Sequence, residues 1–391
     1  MRSSILFLTN AYPDFDNSYR GIFIQKMATL LQNEGYEISV VTPKVFRKSP
    51  HFEKRKGIKV YRFPFFSGNR LLIEYKKVPY LRMLLYYVTG FFLTLYAVIR
   101  NRCDLIHAHW AIPTGLIGVW VGMVLRKPLL VTIHGSDLRM ALEKPGILRR
   151  LFKYVCRKAN YLNCVSESQR KEIEQLGIPG SKVVVLPMSI DETFLMTGQN
   201  RKWERADKPF TILSNRNLLP IYNVSLLIRA IPMVLDQETK IKVLIAGDGS
   251  ERKKLEEEVK KLNVGTAVQF LGQIPHEEMP TLLARADIYV STSLHDGASV
   301  SLLEAIGAGT FPIVTDISAN REWITDGENG YLVPVDEERI LANRIIDAMK
   351  DRELLEKSRL KNLSIIRENA FWPMNLRRVK DIYASLIGSM N

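Results

Sequence analysis

Cysteine is scarce in this chain. Cys103, Cys156 and Cys164 are scattered among 391 residues. An odd, irregularly spaced set argues against a disulfide framework and fits a reducing cytosol. Long membrane-type runs are missing too. Met83–Ile99 carries no charge but falls just short of the ~20 residues that span a bilayer. Ile5–Leu8 is too short for a signal peptide and reads as a first core strand. No zinc spacing, helix-turn-helix pattern or RNA-binding signature occurs, so nucleic acid is not an expected partner. Gly247-Asp248-Gly249 lacks the third glycine of a dinucleotide fingerprint. His107 and His109 share one strand face, but no third ligand stands near them in sequence, so no metal is expected.

What is present is positive charge, and it is uneven. Residues 1–190 hold 29 Lys and Arg against 12 Asp and Glu; residues 191–391 hold 26 against 29. The first half therefore carries the whole excess of the chain's +14. An anionic membrane surface or a phosphate-bearing lipid accounts for such a half. The length suits two domains with substantial cores.

The chain reads as alternating strands and helices. Ser4–Thr9 is a buried strand, Asn10–Tyr19 a polar loop, and Gly21 precedes a helix, Phe23–Glu34. This opens a parallel α/β sheet. Gly21 either lets backbone approach a phosphate or simply makes the turn. Residues 44–82 read as basic and loop-rich, with Lys54-Arg55-Lys56 and Lys76-Lys77. Met83–Ile99 reads as a buried helix. The rival reading is an interfacial helix, favoured by Tyr86, Tyr87, Phe91 and Phe92 and the flanking Arg82, Arg100 and Arg102. Strand Leu129–Ile133 delivers His134-Gly135-Ser136-Asp137 to the carboxyl edge, where open α/β sheets bind ligands. A polar linker, Asp191–Pro209, leads to a second alternating set that starts with strand Phe210–Ser214 and helix Val224–Leu235.

In residues 287–310 a strand breaks at Leu294-His295-Asp296-Gly297 and a helix follows from about Ser299. Asp296 then sits in the loop leaving a strand, and Glu304 just over a turn into the helix. A helix amino terminus suits a phosphate, and two flanking carboxylates suit hydroxyl-rich groups on either side of it. A nucleotide-sugar has that form. The same residues also fit a bland reading, Ser301-x-x-Glu304 as a capping box and Asp296-Gly297 as a turn.

The stretch resembles the acid-x7-acid motif of retaining glycosyltransferases of family 4, with Asp296 and Glu304 on the two acids. Asp in place of the usual Glu shortens the reach by about 1.5 Å. HAHWAIPTG, the strand ending in HGSD, and LPMSID also resemble family segments in the family's order. The resemblance implies a GT-B fold: two Rossmann-like domains with parallel sheets facing across a cleft. Residues 1–190 form the acceptor domain, joined by a final helix of about 372–391, and 191–371 form the donor domain.

The resemblance also implies roles. Glu304 holds the nucleotide ribose, and amides near Ser299, Val300 and Ser301, with Arg216 and Gly21, hold the diphosphate. Backbone near Ile274 meets the base, and Asp296 and His134 orient the hexose. The nucleotide-sugar is a substrate; no cofactor or metal is implied. The acceptor is a glycan or a lipid-linked molecule, and the location cytoplasmic, with peripheral attachment at the inner face of the cell membrane as an option. One departure stands out. Where the family places Arg and Lys for the leaving diphosphate, alignment on Pro220 gives Asn217 and Tyr222, with Arg216 one residue early. Arg321 is a substitute cation. A sugar-nucleotide epimerase, or a binding protein without turnover, remains the alternative.

Overall fold

The computed structural model describes residues 3–15, 18, 20–70, 79–143, 146–201 and 208–388. Lys76-Lys77, residues 202–207 of the linker, and parts of the loop Asn10–Tyr19 lie outside the described residues. The chain divides into two compact units, one running to Leu186 and resuming at Leu376, the other Pro187–Asn375.

The first domain contains β1 (Ser4–Thr9), α1 (Ile22–Asn33), β2 (Glu37–Lys44), β3 (Phe52–Arg55), β4 (Ile58–Pro64), α2 (Tyr80–Arg100) and β5 (Leu105–His109). It continues through α3 (Leu116–Leu125), β6 (Leu129–Ile133), α4 (Ser136–Glu143), α5 (Ile147–Lys158), β7 (Tyr161–Cys164), α6 (Glu167–Gln175) and β8 (Val183–Val185). The sheet order is β3-β4-β2-β1-β5-β6-β7-β8, parallel except for the β3–β4 hairpin. Helices α2, α3 and α5 pack on one face with Phe63, Tyr86, Ile117 and Phe152; α1 packs on the other with Ile24 and Leu31. Leu376, Val379 and Tyr383 of the terminal helix join that second face.

The second domain contains α7 (Glu192–Gln199), β9 (Phe210–Ser214), α8 (Val224–Leu235), β10 (Ile241–Ala246), α9 (Arg252–Lys261), β11 (Val268–Gly272), α10 (Met279–Arg285) and β12 (Ile288–Ser291). Then come α11 (Val300–Gly307), β13 (Phe311–Thr315), α12 (Ser318–Arg321), β14 (Tyr331–Val333), α13 (Glu338–Lys350) and α14 (Arg352–Asn369). The terminal α15 (Trp372–Gly388) carries the chain from this unit to the first. The sheet is wholly parallel, in the order β11-β10-β9-β12-β13-β14.

Two segments hold more regular structure than the sequence suggested. Residues 44–82, read as loop-rich, also contain the hairpin β3–β4, with β4 inside the sheet between β2 and β3. Its Arg62 is buried, and Nη2 donates to the Pro13 carbonyl at 2.7 Å and to Glu53 at 2.6 Å. A charge met in this way hides the strand's apolar pattern. The linker also contains α7, whose Phe194 and Leu195 enter the second domain's core.

In each sheet strand order reverses beside one central strand. Chain leaving β1 and β5 diverges in the first domain, and chain leaving β9 and β12 in the second. Such switch points open a crevice at the carboxyl edge. The first places the loops holding Gly21 and Trp110; the second, those holding Arg216 and Asp296.

Candidate active site

The second-domain group is built around Arg216. It is buried on the loop after β9. Nη2 donates to Asp296 Oδ2 at 2.6 Å, and Nη1 to Ser301 Oγ at 2.7 Å. The guanidinium carbon lies 4.2 Å from the centre of the Tyr222 ring. The structure thus brings Arg216 to the motif acid, and the Tyr222 ring, at the expected lysine position, packs against its guanidinium. Burial alone would lower the Arg216 pKa; Asp296, Tyr289 and Tyr222 outweigh burial and raise it.

Packing elsewhere fixes this loop. A Cβ on Gly247 would stand 2.4 Å from the Arg216 carbonyl oxygen, and one on Gly249 would stand 2.3 Å from that of Leu218. The Leu218 amide donates to the Asp248 carbonyl at 3.0 Å. The two glycines of the incomplete fingerprint therefore seat the loop that presents Arg216.

No capping box forms. Helix α11 starts at Val300 with Ser299 at its N-cap, and no side chain caps it. Ser301 is inside the helix, its hydroxyl taken by Arg216. The Val300 amide turns onto the Ala298 carbonyl at 3.0 Å. First-turn amides of a helix have no acceptor within it and suit an anion.

Glu304 is buried one turn further on, with His276 Nδ1 3.7 Å from its Oε1. Burial pushes its pKa up to about 7; Asp191 adds to the rise, while His276 and Arg216 oppose it. His276 Nε2 is 3.8 Å from Asp191 Oδ2. The Asp191 carboxylate, facing the ring as an acceptor, raises the His276 pKa against burial, and the Glu304 charge adds to it. Sequence reasoning missed both residues, although His276 is two positions beyond Ile274, which is half-buried after β11. Arg321 is engaged elsewhere: Nη2 donates to Asp316 at 2.8 Å, and the pair is exposed.

The first-domain group is aromatic. His134 follows β6, its Nε2 3.2 Å from His109 Nδ1. The Trp110 ring lies 4.5 Å from that of His134, and Phe23 packs edge-on at 5.2 Å. His107 stacks on His109 at 4.3 Å; its ring nitrogens meet Tyr383 Oη at 2.6 Å and Thr132 Oγ1 at 2.7 Å. Burial lowers the pKa of all three imidazoles and keeps them neutral. His109 Nε2 is buried without a partner. A proton there would be an orphan donor, so His109 carries its proton on Nδ1 and donates to His134 Nε2. His134 then keeps its own N–H on Nδ1. Trp110 holds φ +70, a strained value for a bulky side chain.

Gly21 opens α1 at φ +68, and a Cβ there would stand 2.2 Å from the Ala11 carbonyl oxygen. Its own loop demands glycine. Asp137 is a structural residue beside His134: Oδ2 accepts the Ala111 amide at 2.6 Å. Among the described residues no group of three His, Cys, Asp or Glu is arranged to hold a metal ion.

Comparison with known proteins places this architecture. The family described as "Glycosyltransferase Family 4" matches residues 21–194, and "Glycosyl transferases group 1" matches residues 197–362. N-acetyl-alpha-D-glucosaminyl L-malate synthase of Bacillus anthracis is 26% identical over 65% of this chain and 68% of its own length. A putative teichuronic acid biosynthesis glycosyltransferase of Bacillus subtilis is 27% identical over 80% of this chain and 81% of its own. The crystal structure of Anabaena HepE in complex with UDP superposes with a TM-score of 0.77 at 18% identity, covering 98% of this chain and all of that one. The chain belongs to glycosyltransferase family 4 and has its GT-B fold of two Rossmann-like domains.

Proposed function

We propose that this glycosyltransferase moves a hexose from a nucleoside-diphosphate sugar to a glycan or lipid-linked acceptor, with retention at the anomeric carbon, in the synthesis of a polysaccharide or glycolipid. The observation that carries it is Arg216 held between Asp296 and Ser301 at the amino end of α11, with Glu304 a turn beyond.

Ionised Glu304 would accept hydrogen bonds from the two ribose hydroxyls. Arg216, Gly21 and the first-turn amides near Ser299 and Ser301 would take the diphosphate, and backbone near Ile274 would meet the base. Asp296 and the Nδ1–H of His134 would orient the hexose. The bond from C1 to the diphosphate oxygen breaks, and the acceptor oxygen attacks from the same face. Its proton passes to the departing phosphate, so no separate base is assigned. A fixed cation beside the leaving oxygens stabilises charge that grows in the transition state. No metal enters this scheme. The acceptor class draws on the teichuronic acid relative.

The anomer formed first in slow donor hydrolysis, followed by proton NMR, tests the chemistry. Retention predicts that the donor's own configuration appears before mutarotation; the opposite anomer would refute it. Binding without turnover draws on Tyr222 replacing a lysine, and epimerisation is a second alternative on the same fold. Nucleoside diphosphate released in step with hexose transfer separates the proposal from both.

A further inference from the structure

Helix α2 has two unlike faces. Tyr86, Gly90, Thr94, Ala97 and Val98 are buried in the domain. A Cβ on Gly90 would stand 2.7 Å from Ile117 of α3, and Thr89 Oγ1 donates to the Pro64 carbonyl at 2.9 Å. This anchorage holds the helix on the sheet and argues against a span, although α2 is long and apolar enough to cross a membrane. The other face consists of Leu81, Leu84, Val88, Phe92, Tyr96 and Ile99, between 46% and 81% exposed. Their spacing of three and four residues makes one stripe along the whole helix. A water-facing stripe ordinarily carries polar residues there. The buried reading of Met83–Ile99 therefore describes one face of the helix only.

The surface continues on the same side of the sheet. Next to α2, α3 exposes Met123 and Val124, and Tyr154 of α5 donates to Met123 Sδ at 3.9 Å. Then comes α5 with Arg149, Arg150, Lys153, Arg157 and Lys158 and no acidic residue. The three helices together contain no Asp or Glu. Arg100 and Arg102 are exposed at the carboxyl end of α2, and Arg126 follows α3. The outer side of this layer thus runs from apolar to basic.

We propose that the outer faces of α2, α3 and α5 form a docking surface for an anionic lipid bilayer. The stripe of α2 enters the boundary between headgroups and acyl chains, and the basic residues of α5 meet the lipid phosphates. Charge complementarity selects this occupant: an apolar stripe alone fits any apolar partner, but an adjoining array of five cations without a single anion fits a sheet of negative headgroups. The inference is independent of the transfer reaction.

Sedimentation of the full chain with vesicles of phosphatidylglycerol and phosphatidylcholine, against phosphatidylcholine alone, tests it. Binding to the anionic vesicles is expected, weakened but not abolished by salt. Leu84→Glu with Phe92→Glu should lower the partition coefficient roughly tenfold or more. Arg150→Glu with Arg157→Glu should remove the preference for anionic lipid. All four side chains lie on helix exteriors, and unchanged nucleoside-diphosphate binding or thermal unfolding would show the variants folded. Absence of vesicle binding, or binding untouched by the α2 pair, would overturn the proposal. So would a dimer in sedimentation velocity that Phe92→Glu dissociates without any effect on vesicles, because a second copy would then own the face.

Discussion

Buried Arg216 and half-buried Asp296 form an ion pair of 2.6 Å between two loops that leave adjacent strands. In the proposed scheme each would hold part of the donor, and here the two are paired with each other. Asp296→Asn should therefore leave nucleoside-diphosphate affinity unchanged or raise it a few-fold, while hexose transfer falls. Arg216→Ala should weaken the diphosphate and lower turnover by about 10²–10³. Calorimetry beside a transfer assay checks both; equal loss of diphosphate affinity in the two variants would contradict this division of labour.

Tyr222 tests the support beneath that pair. Tyr222→Phe keeps the ring and should stay close to wild type. Tyr222→Ala removes a cation–π contact worth about 0.5–2 kcal/mol and should weaken nucleoside-diphosphate binding by roughly two- to thirtyfold.

Glu304 gives stability a pH dependence of known sign. Its carboxyl titrates at about 7 in the folded chain, against an ordinary 4.5. The folded state therefore holds the proton more tightly. That contribution is complete below about pH 4.5 and is lost as pH rises to about 7. The full difference corresponds to about 3 kcal/mol. Glu304→Gln should match wild type near pH 4.5 and be more stable above pH 7 by thermal unfolding. The proposed ribose contact needs the ionised form, so wild-type affinity should also rise between pH 6 and 8 more steeply than that of the variant.

His109 acts on the first-domain group through His134. His109→Gln should reduce turnover about tenfold or more by releasing the tautomer of His134, yet leave nucleoside-diphosphate affinity unchanged. The intact affinity would show that the loss is not one of folding, and a parallel loss of both would count against the tautomer argument.

Strands β1, β6 and β9 and helix α8 were legible in the sequence because their apolar pattern is uninterrupted. The hairpin β3–β4 was not, because buried Arg62 reads as a surface charge until Glu53 and the Pro13 carbonyl are seen beside it. Asp296 and Glu304 drew attention through the strand-to-helix break around them and the family motif that the stretch resembles. The register of Arg216 was not, since it depends on Gly247 and Gly249, some thirty residues later, accepting the loop's carbonyls at close range. His276 gives no local signal at all: its partners, Asp191 and Glu304, are distant in sequence and meet it only in the fold. His134 likewise gains its partner from the neighbouring strand β5.

Calorimetric titration of a panel of nucleoside diphosphates and nucleotide-sugars into the wild type, Glu304→Ala and Arg216→Ala is the most direct test of the donor site. The account predicts selective binding of one base by the wild type, lost or severely weakened in both variants. Binding of no member of the panel, or binding that both variants retain in full, would contradict it.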